Sequence, residues 1–233
     1  MEPITPFDNQ RVPTGAGGLF YGMYTALVVD LQDPDGQGRV KIRLPWSPDT
    51  GSASYEVWAR VAVLMAGAGR GTWFIPDVDD EVLVAFEAGN PRRPYVVGAL
   101  WNGSDSPPES MDNNNTKKVI HSRNGIKITF EDQDGQETLT LETPGGQKME
   151  YTDSPAAITI SDSSGNSVKL ESSGITITTS GNVNVNASMV NVSASMVKVD
   201  AAMSKFSGVV KCDTLIATSV VGASYTPGAG NIW

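Results

Sequence analysis

Few side chains in this sequence are equipped for chemistry, and their spacing does not suit it. The one histidine, His121, stands alone. A lone imidazole without a second ligand at metal-binding spacing reads as a surface or packing residue. Asp77, Asp79, Asp80 and Glu81 offer carboxylates for a cation or an acid–base pair. No second acidic or histidine motif completes such a site, so the cluster reads as a solvated turn. The run Gly67-Ala68-Gly69-Arg70-Gly71 has the glycines of a phosphate loop but lacks the Gly-Lys-Ser/Thr ending, and is expected to be a flexible loop. Arg92 and Arg93 are expected as strand-end interface residues rather than an anion site. The one cysteine, Cys212, cannot form an intrachain disulfide and is expected as small filler. The expectation is therefore a chain that is not an enzyme and needs no metal or cofactor.

Charge narrows the classes further. The formal net charge is −9 and the pI about 4.6. Nucleic acid is thus a poor partner, since phosphate backbones require clustered Lys and Arg. The N-terminal MEPITPFDNQ shows no basic segment followed by an apolar run, and no apolar stretch is long enough to span a bilayer. Synthesis and assembly as a soluble cytoplasmic component are expected, with any membrane met mechanically or after export.

Since no site organises the chain, its repeats must. Residues 181–215 divide into seven-residue units, GNVNVNA, SMVNVSA, SMVKVDA, AMSKFSG and a blurred VVKCDTL. A period of seven suggests a coiled coil, but the apolar positions are the third, fifth and seventh of each unit. Val183, Val185, Ala187, Val190, Val192, Ala194, Val197, Val199 and Ala201 follow this rule, with Phe206 in the fourth unit. That is the period of two of a β-strand, and β-branched Val among Asn and Ser disfavours helix. Each unit reads as one short strand and a corner. Five units give too few rungs to bury a core in one chain, whereas three intertwined chains would fill a narrow axial core with these Val, Ala and Phe side chains. A homotrimeric β-helix is expected, with a single-chain β-solenoid as the plainer alternative.

Upstream, residues 1–18 form a polar N-terminal arm. Strand-like runs at 21–30, 39–44, 55–64, 81–86 and 95–101 place a small closed barrel of the OB type in residues 19–103. Residues 104–118, with Ser106-Pro107-Pro108 and Asn113-Asn114-Asn115, read as a linker. Strands resume at 126–130, 139–141, 158–160, 168–170 and 175–177, a broader first part of a rod that occupies residues 119–222. Residues 223–233 form a small, turn-rich tip. The fold class is all-β throughout.

Several ordered stretches carry a resemblance. They are Gly38-Arg39-Val40-Lys41-Ile42-Arg43-Leu44-Pro45-Trp46, Trp58-Ala59-Arg60-Val61, residues 66–76 (AGAGRGTWFIP), residues 80–86 (DEVLVAF) and residues 89–101 (GNPRRPYVVGALW). In this order they resemble the OB-fold domain of VgrG and phage baseplate spike proteins, and residues 122–135 are similar to the start of the β-helical needle of those proteins. Asp79-Asp80-Glu81 and Gly89-Asn90-Pro91 depart from the family's usual turns. The chain has no length for the family's large hub portion before Leu19 and no lysozyme-like insertion, so the resemblance implies a trimeric spike whose hub is a separate polypeptide.

The resemblance also implies a PAAR-type cap at the C-terminal end, where Tyr225, Ile232 and Trp233 offer apolar surface, and possible effectors. It carries the expectation of a membrane-puncturing needle assembled into a contractile injection particle, be it a phage tail, a tailocin-like or a type VI-like machine. The tail lacks the His-x-His pair with which some phage spike tips hold an ion. The alternative is a trimeric glycan-binding or glycan-cleaving tail protein. It would need an exposed aromatic groove or a carboxylate pair on the rod, whereas Trp46, Trp58, Trp73, Phe74 and Trp101 are expected to pack in or beside the barrel.

The strand register can be tested. Val192 and Asn191 point to opposite faces of one unit. Val192→Asp should prevent assembly, since carboxylates buried near an axis cost several kcal/mol each, whereas Asn191→Asp should assemble normally. Native mass of the two purified variants is the measurement, and equal behaviour would refute the register.

Overall fold

The computed structural model describes residues 18–47 and 55–224. Its first unit, which ends at Gly181, holds a barrel and a sheet, and a second unit begins at Asn182.

The barrel strands are β1 (Met23–Asp30), β2 (Val40–Arg43), β3 (Glu56–Val61), β6 (Glu81–Phe86) and β7 (Pro94–Ala99), with a small hairpin of β4 (Ala66–Gly67) and β5 (Arg70–Gly71) between β3 and β6. The five close in the order β1-β2-β3-β7-β6, β6 pairing back to β1. All neighbours are antiparallel except β3 and β7, which run parallel with Arg60 opposite Tyr95. This order is that of the expected OB type. Closure follows from alternation: Val28, Val40, Ile42, Ala59, Val82, Val84 and Val96 point inward and are buried, while their neighbours face outward. Bulges between Val28 and Asp30 and between Leu83 and Val84 add the curvature that closure needs.

One end of the barrel is plugged by aromatic rings. Phe20 packs edge-on to Phe86 with centroids 4.9 Å apart, Tyr24 stacks on Trp46 at 4.8 Å, and the Trp46 Nε1–H donates to the Thr25 carbonyl at 2.8 Å. The β1–β2 turn is organised by a single carboxylate. Asp33 accepts hydrogen bonds from the backbone N–H of Asp35, Gln37 and Arg39, and from the Arg39 guanidinium at 2.6 and 3.0 Å. Arg39 also reaches Asp35 at 2.6 Å.

Beyond the barrel lies an antiparallel meander of β8 (Lys117–His121), β9 (Lys127–Glu131), β10 (Thr138–Glu142), β11 (Lys148–Asp153), β12 (Ala156–Ser161), β13 (Ser167–Glu171) and β14 (Gly174–Thr178), each paired to the next. The sequence-predicted linker is therefore shorter than expected, because Lys117 and Lys118 already belong to β8. The region expected as one continuous rod divides at Gly181 into this sheet and the seven-residue units.

The guanidinium of Arg39, with help from three backbone donors, holds the Asp33 carboxyl far below the ordinary carboxylate range. A depressed folded-state pKa contributes stability in full above the unfolded value, about 3.9, and loses it as pH falls from there through the folded value. Asp33→Asn should therefore lower the melting temperature at neutral pH and differ progressively less from wild type in melts taken below about pH 4. A constant offset down to strongly acidic pH would contradict this.

Candidate assembly interface

The seven strands of the meander are in register such that like faces line up. One row runs Phe130, Leu139, Tyr151, Ile158, Leu170 and Ile175; a second runs Ile120, Ile128, Leu141, Met149, Ile160, Val168 and Ile177. The second row crosses all seven strands without a polar interruption, whereas the first runs from β9 to β14 and meets Lys118 on β8. The opposite face is Thr, Lys, Glu and Ser, for example Thr129, Thr140, Glu150, Thr159, Lys169 and Thr176 in one row. Lys148 pairs with Glu150 and Lys169 with Glu171 on that face, each at 2.6 Å.

Within the chain, nothing among the described residues buries the apolar face. Ile160 is 45% exposed in the middle of the sheet and Ile175 70% at its edge, and no residue of the meander is fully buried. Isolated exposed apolar residues are ordinary, but a contiguous face of this extent marks a contact surface.

Turns along the sheet repeat one geometry. Ser122–Ile126, Thr143–Gln147 and Asp162–Asn166 close three hairpins with the same backbone hydrogen bonds, and each carries a glycine of positive φ at Gly125, Gly146 and Gly165. At Gly146 the constraint is also steric, since a Cβ there would lie 2.9 Å from the Ser163 Cβ of the next turn. Where the chain leaves the sheet, the Thr179 hydroxyl donates to Asn166, whose amide donates to Asp162 at 2.7 Å. Asn166 and the surrounding N–H groups hold the Asp162 carboxyl below its usual range.

Three ion pairs tie the meander to the barrel side of the chain. Arg123 meets Asp77 at 2.8 Å, and Glu109 receives Lys127 at 2.7 Å with Lys117 at 3.6 Å. The Lys127 bond, then the Lys117 charge, lowers the Glu109 pKa.

Among the described residues of the second unit, the backbone finds no ladder partner within the chain. Residues 182–224 are exposed throughout and form no hydrogen-bonded strand within the chain. The expected short strands are thus not made by one copy, because a ladder requires a second backbone and successive units do not supply it to one another. The first four unit boundaries are nonetheless as read from sequence, the backbone bending at Gly181, Ser188, Ser195 and Ala202, whereas the blurred fifth unit shows no bend at Val209. Val183, Val185, Val190, Val192, Val197, Val199 and Phe206 are 61 to 73% exposed, and Ala187, Ala194 and Ala201 are exposed with them. Tyr225, Ile232 and Trp233 lie outside the described residues.

Several other expectations change. Trp73, Phe74 and Trp101 are exposed at 75%, 69% and 69% rather than packed, because they sit beyond strand ends, where no second layer covers them. Residues 67–71 belong to the β4–β5 hairpin rather than a flexible loop. Cys212 is exposed within the single chain, like the rest of residues 182–224. Asp77–Asp80 form the expected turn, the Asp77 N–H donating to the Asp80 carboxylate at 2.8 Å. His121 is exposed at the end of β8, and no group of three or more metal-ligating side chains occurs among the described residues. No helix among them is long and apolar enough to cross a membrane.

The residues that sequence reasoning missed are those of β8 and β11. The Lys pair of β8 disguised it as linker, and Met149 and Tyr151 sit among charged neighbours. The recurrence of glycines at 125, 146 and 165 was the available signal, and each adopts a positive φ in the structure.

The two faces predict opposite responses. Ile158→Lys should yield a monomer or an aggregate, whereas Thr159→Lys, on the polar face, should keep the wild-type mass and a stability within about 0.5 kcal/mol of it. Sedimentation of both variants decides, and a wild-type assembly for Ile158→Lys would show that this face is not the contact.

Known families match both parts of the chain. Residues 24–101 match the type VI secretion system/phage-baseplate injector OB domain. Residues 138–203 match the phage baseplate V C-terminal trimerisation domain, a match that runs from β10 across Gly181 into the seven-residue units. The type VI secretion system spike protein VgrG1c of Pseudomonas aeruginosa is 31% identical over 162 residues, covering 64% of this chain and 22% of the relative. The spike protein VgrG3 of Vibrio cholerae is 36% identical over 115 residues, 46% of this chain and 11% of the relative. The actin cross-linking toxin VgrG1 of Vibrio cholerae is 34% identical over 113 residues, 46% of this chain and 10% of the relative. The chain thus spans no more than 22% of the length of these relatives. With its barrel and its repeat region each matched, the chain carries the injector OB domain and the C-terminal trimerisation domain of type VI secretion and phage-baseplate spikes.

Proposed function

We propose that the chain is a structural spike of a type VI-like or phage-tail-like injection particle, built as a homotrimer. The observation that carries this reading is the uncovered apolar face of the meander.

Three such sheets close without leaving a channel. A strand of five residues at about 3.4 Å per residue makes a triangle edge of about 17 Å, whose faces lie about 5 Å from the axis. That is half of the roughly 10 Å at which sheets pack face to face, so side chains of Ile, Leu and Phe size would meet at the centre. At about 4.8 Å per strand the meander contributes about 30 Å of rod. The seven-residue units would continue it with strands exchanged among the three chains, Val183, Val185, Ala187, Val190, Val192, Ala194, Val197, Val199, Ala201 and Phe206 forming the axial core. A closed prism exposes no sheet edge along its sides, and bending it strains many ladder bonds at once, as a part that transmits thrust to a target envelope requires.

The finer parts of the reading are docking of the barrel on a hub, a PAAR-type partner at the C-terminal tip through Tyr225, Ile232 and Trp233, and carriage of effectors. A second reading, glycan binding, is favoured by Trp101, which is exposed and lines a cleft of about 410 Å3 with Pro107, Pro108 and Met111.

Light scattering on the purified chain should give three times the chain mass of 24.7 kDa. A stable, monodisperse monomer at micromolar concentration would refute the trimer.

A further inference from the structure

The outer surface of the barrel holds a cationic recess that spike assembly does not explain. It occupies about 250 Å3 and is lined by Arg39, Trp58, Arg60, Arg92, Arg93 and Tyr95, with Glu87 at one side. Four guanidinium groups in one recess stand out in a chain of net charge −9. Strand alternation puts them there: Ala59 and Val96 point into the core, so Trp58, Arg60 and Tyr95 point out, and the parallel pairing of β3 with β7 sets Arg60 beside Tyr95.

The aromatic rings in this recess are already occupied. The guanidinium carbon of Arg39 lies 5.8 Å from the Trp58 ring centroid with Lys41 Nζ at 5.9 Å, and that of Arg60 lies 5.7 Å from the Tyr95 ring. Sugar or nucleobase ligands bind such sites by stacking on ring faces, which the chain's own cations cover here. Those contacts instead orient the guanidinium groups, whose planar N–H edges suit carboxylates. The chain supplies an example, since Glu87 Oε2 accepts from both Arg93 Nη1 and the Tyr95 hydroxyl, each at a long 3.3 Å. Arg39 is held by Asp33 and Asp35, whereas Arg60 and Arg92 are exposed and make no ion pair among the described residues.

We propose that this recess recognises carboxylates of an acidic polypeptide segment, with Arg60 and Arg92 as the binding cations, Arg39 and Arg93 flanking them, and Glu87 as a weak internal occupant that an incoming carboxylate displaces. Arg92 and Arg93 are then more than strand-end residues. Nucleic acid is disfavoured by both the covered rings and the overall negative charge.

The test is fluorescence anisotropy of an end-labelled decaglutamate peptide with the full chain at low ionic strength, beside an equally long oligothymidylate. The peptide should bind and the oligonucleotide should not. An R60A/R92A variant should bind the peptide about tenfold or more weakly, since it removes both guanidinium groups that no carboxylate of the chain holds, and E87Q should bind it more tightly. Both arginines are exposed, so an unchanged melting curve is expected. Absence of peptide binding, wild-type affinity in R60A/R92A, no gain in E87Q, or oligonucleotide binding as tight as the peptide's would each overturn the proposal. None of these outcomes depends on the oligomeric state.

Discussion

A sheet that completes its hydrogen bonds but leaves one face apolar cannot rest in water as a finished surface, and this constraint governs the molecule. Along the chain, self-sufficiency falls in steps. The barrel closes both its ladder and its core, with Ile42, Val28 and Val84 fully buried. The meander closes its ladder only, between β8 and β14. Residues 182–224 close neither. Free energy that a single copy cannot gain from burial or backbone pairing is left to association, so demand for partners rises steadily toward the C-terminal side.

That gradient suits a rod assembled from identical chains. A self-contained barrel supplies a folded anchor before any partner arrives, and the meander offers a prepared surface rather than a disordered one, which reduces the ordering cost of association. The units after Gly181 have the most to gain and the least structure of their own. Between barrel and meander, the Arg123–Asp77 and Glu109–Lys127 pairs are surface contacts of small individual worth. Their value is positional, since they fix how the first hairpin of the sheet leaves the linker.

Electrostatics separates two kinds of surface. The polar face of the meander spreads Lys and Glu in alternating pairs, which keeps it soluble without a strong field. The barrel instead gathers Arg39, Arg60, Arg92 and Arg93 around two rings, and the Asp33 carboxylate anchors that arrangement by fixing Arg39 over Trp58. One half-buried turn aspartate thereby connects a local backbone requirement to the character of a surface across β2, β3 and β7.

Alternation within single strands was legible from the amino-acid sequence: the inward Val and Ile of the barrel, the all-β class, and the seven-residue units with bends at Ser188, Ser195 and Ala202. These are local properties, set by the period of two of the extended chain and by small residues at corners. The sequence also carried the family resemblance, through the ordered motifs of residues 38–101. Only the tertiary structure decided which strands are neighbours, and hence that Phe130, Leu139, Tyr151, Ile158, Leu170 and Ile175 form one row; register across strands depends on turn geometry that no single strand encodes. It likewise decided that Trp73, Phe74 and Trp101 lie outside the core, since an aromatic residue beside a strand is buried only if another layer covers it. The recess around Arg60 and Tyr95 was hidden for the same reason: its members lie as far apart as residues 39 and 95, and only barrel closure through the parallel β3–β7 pair brings them together.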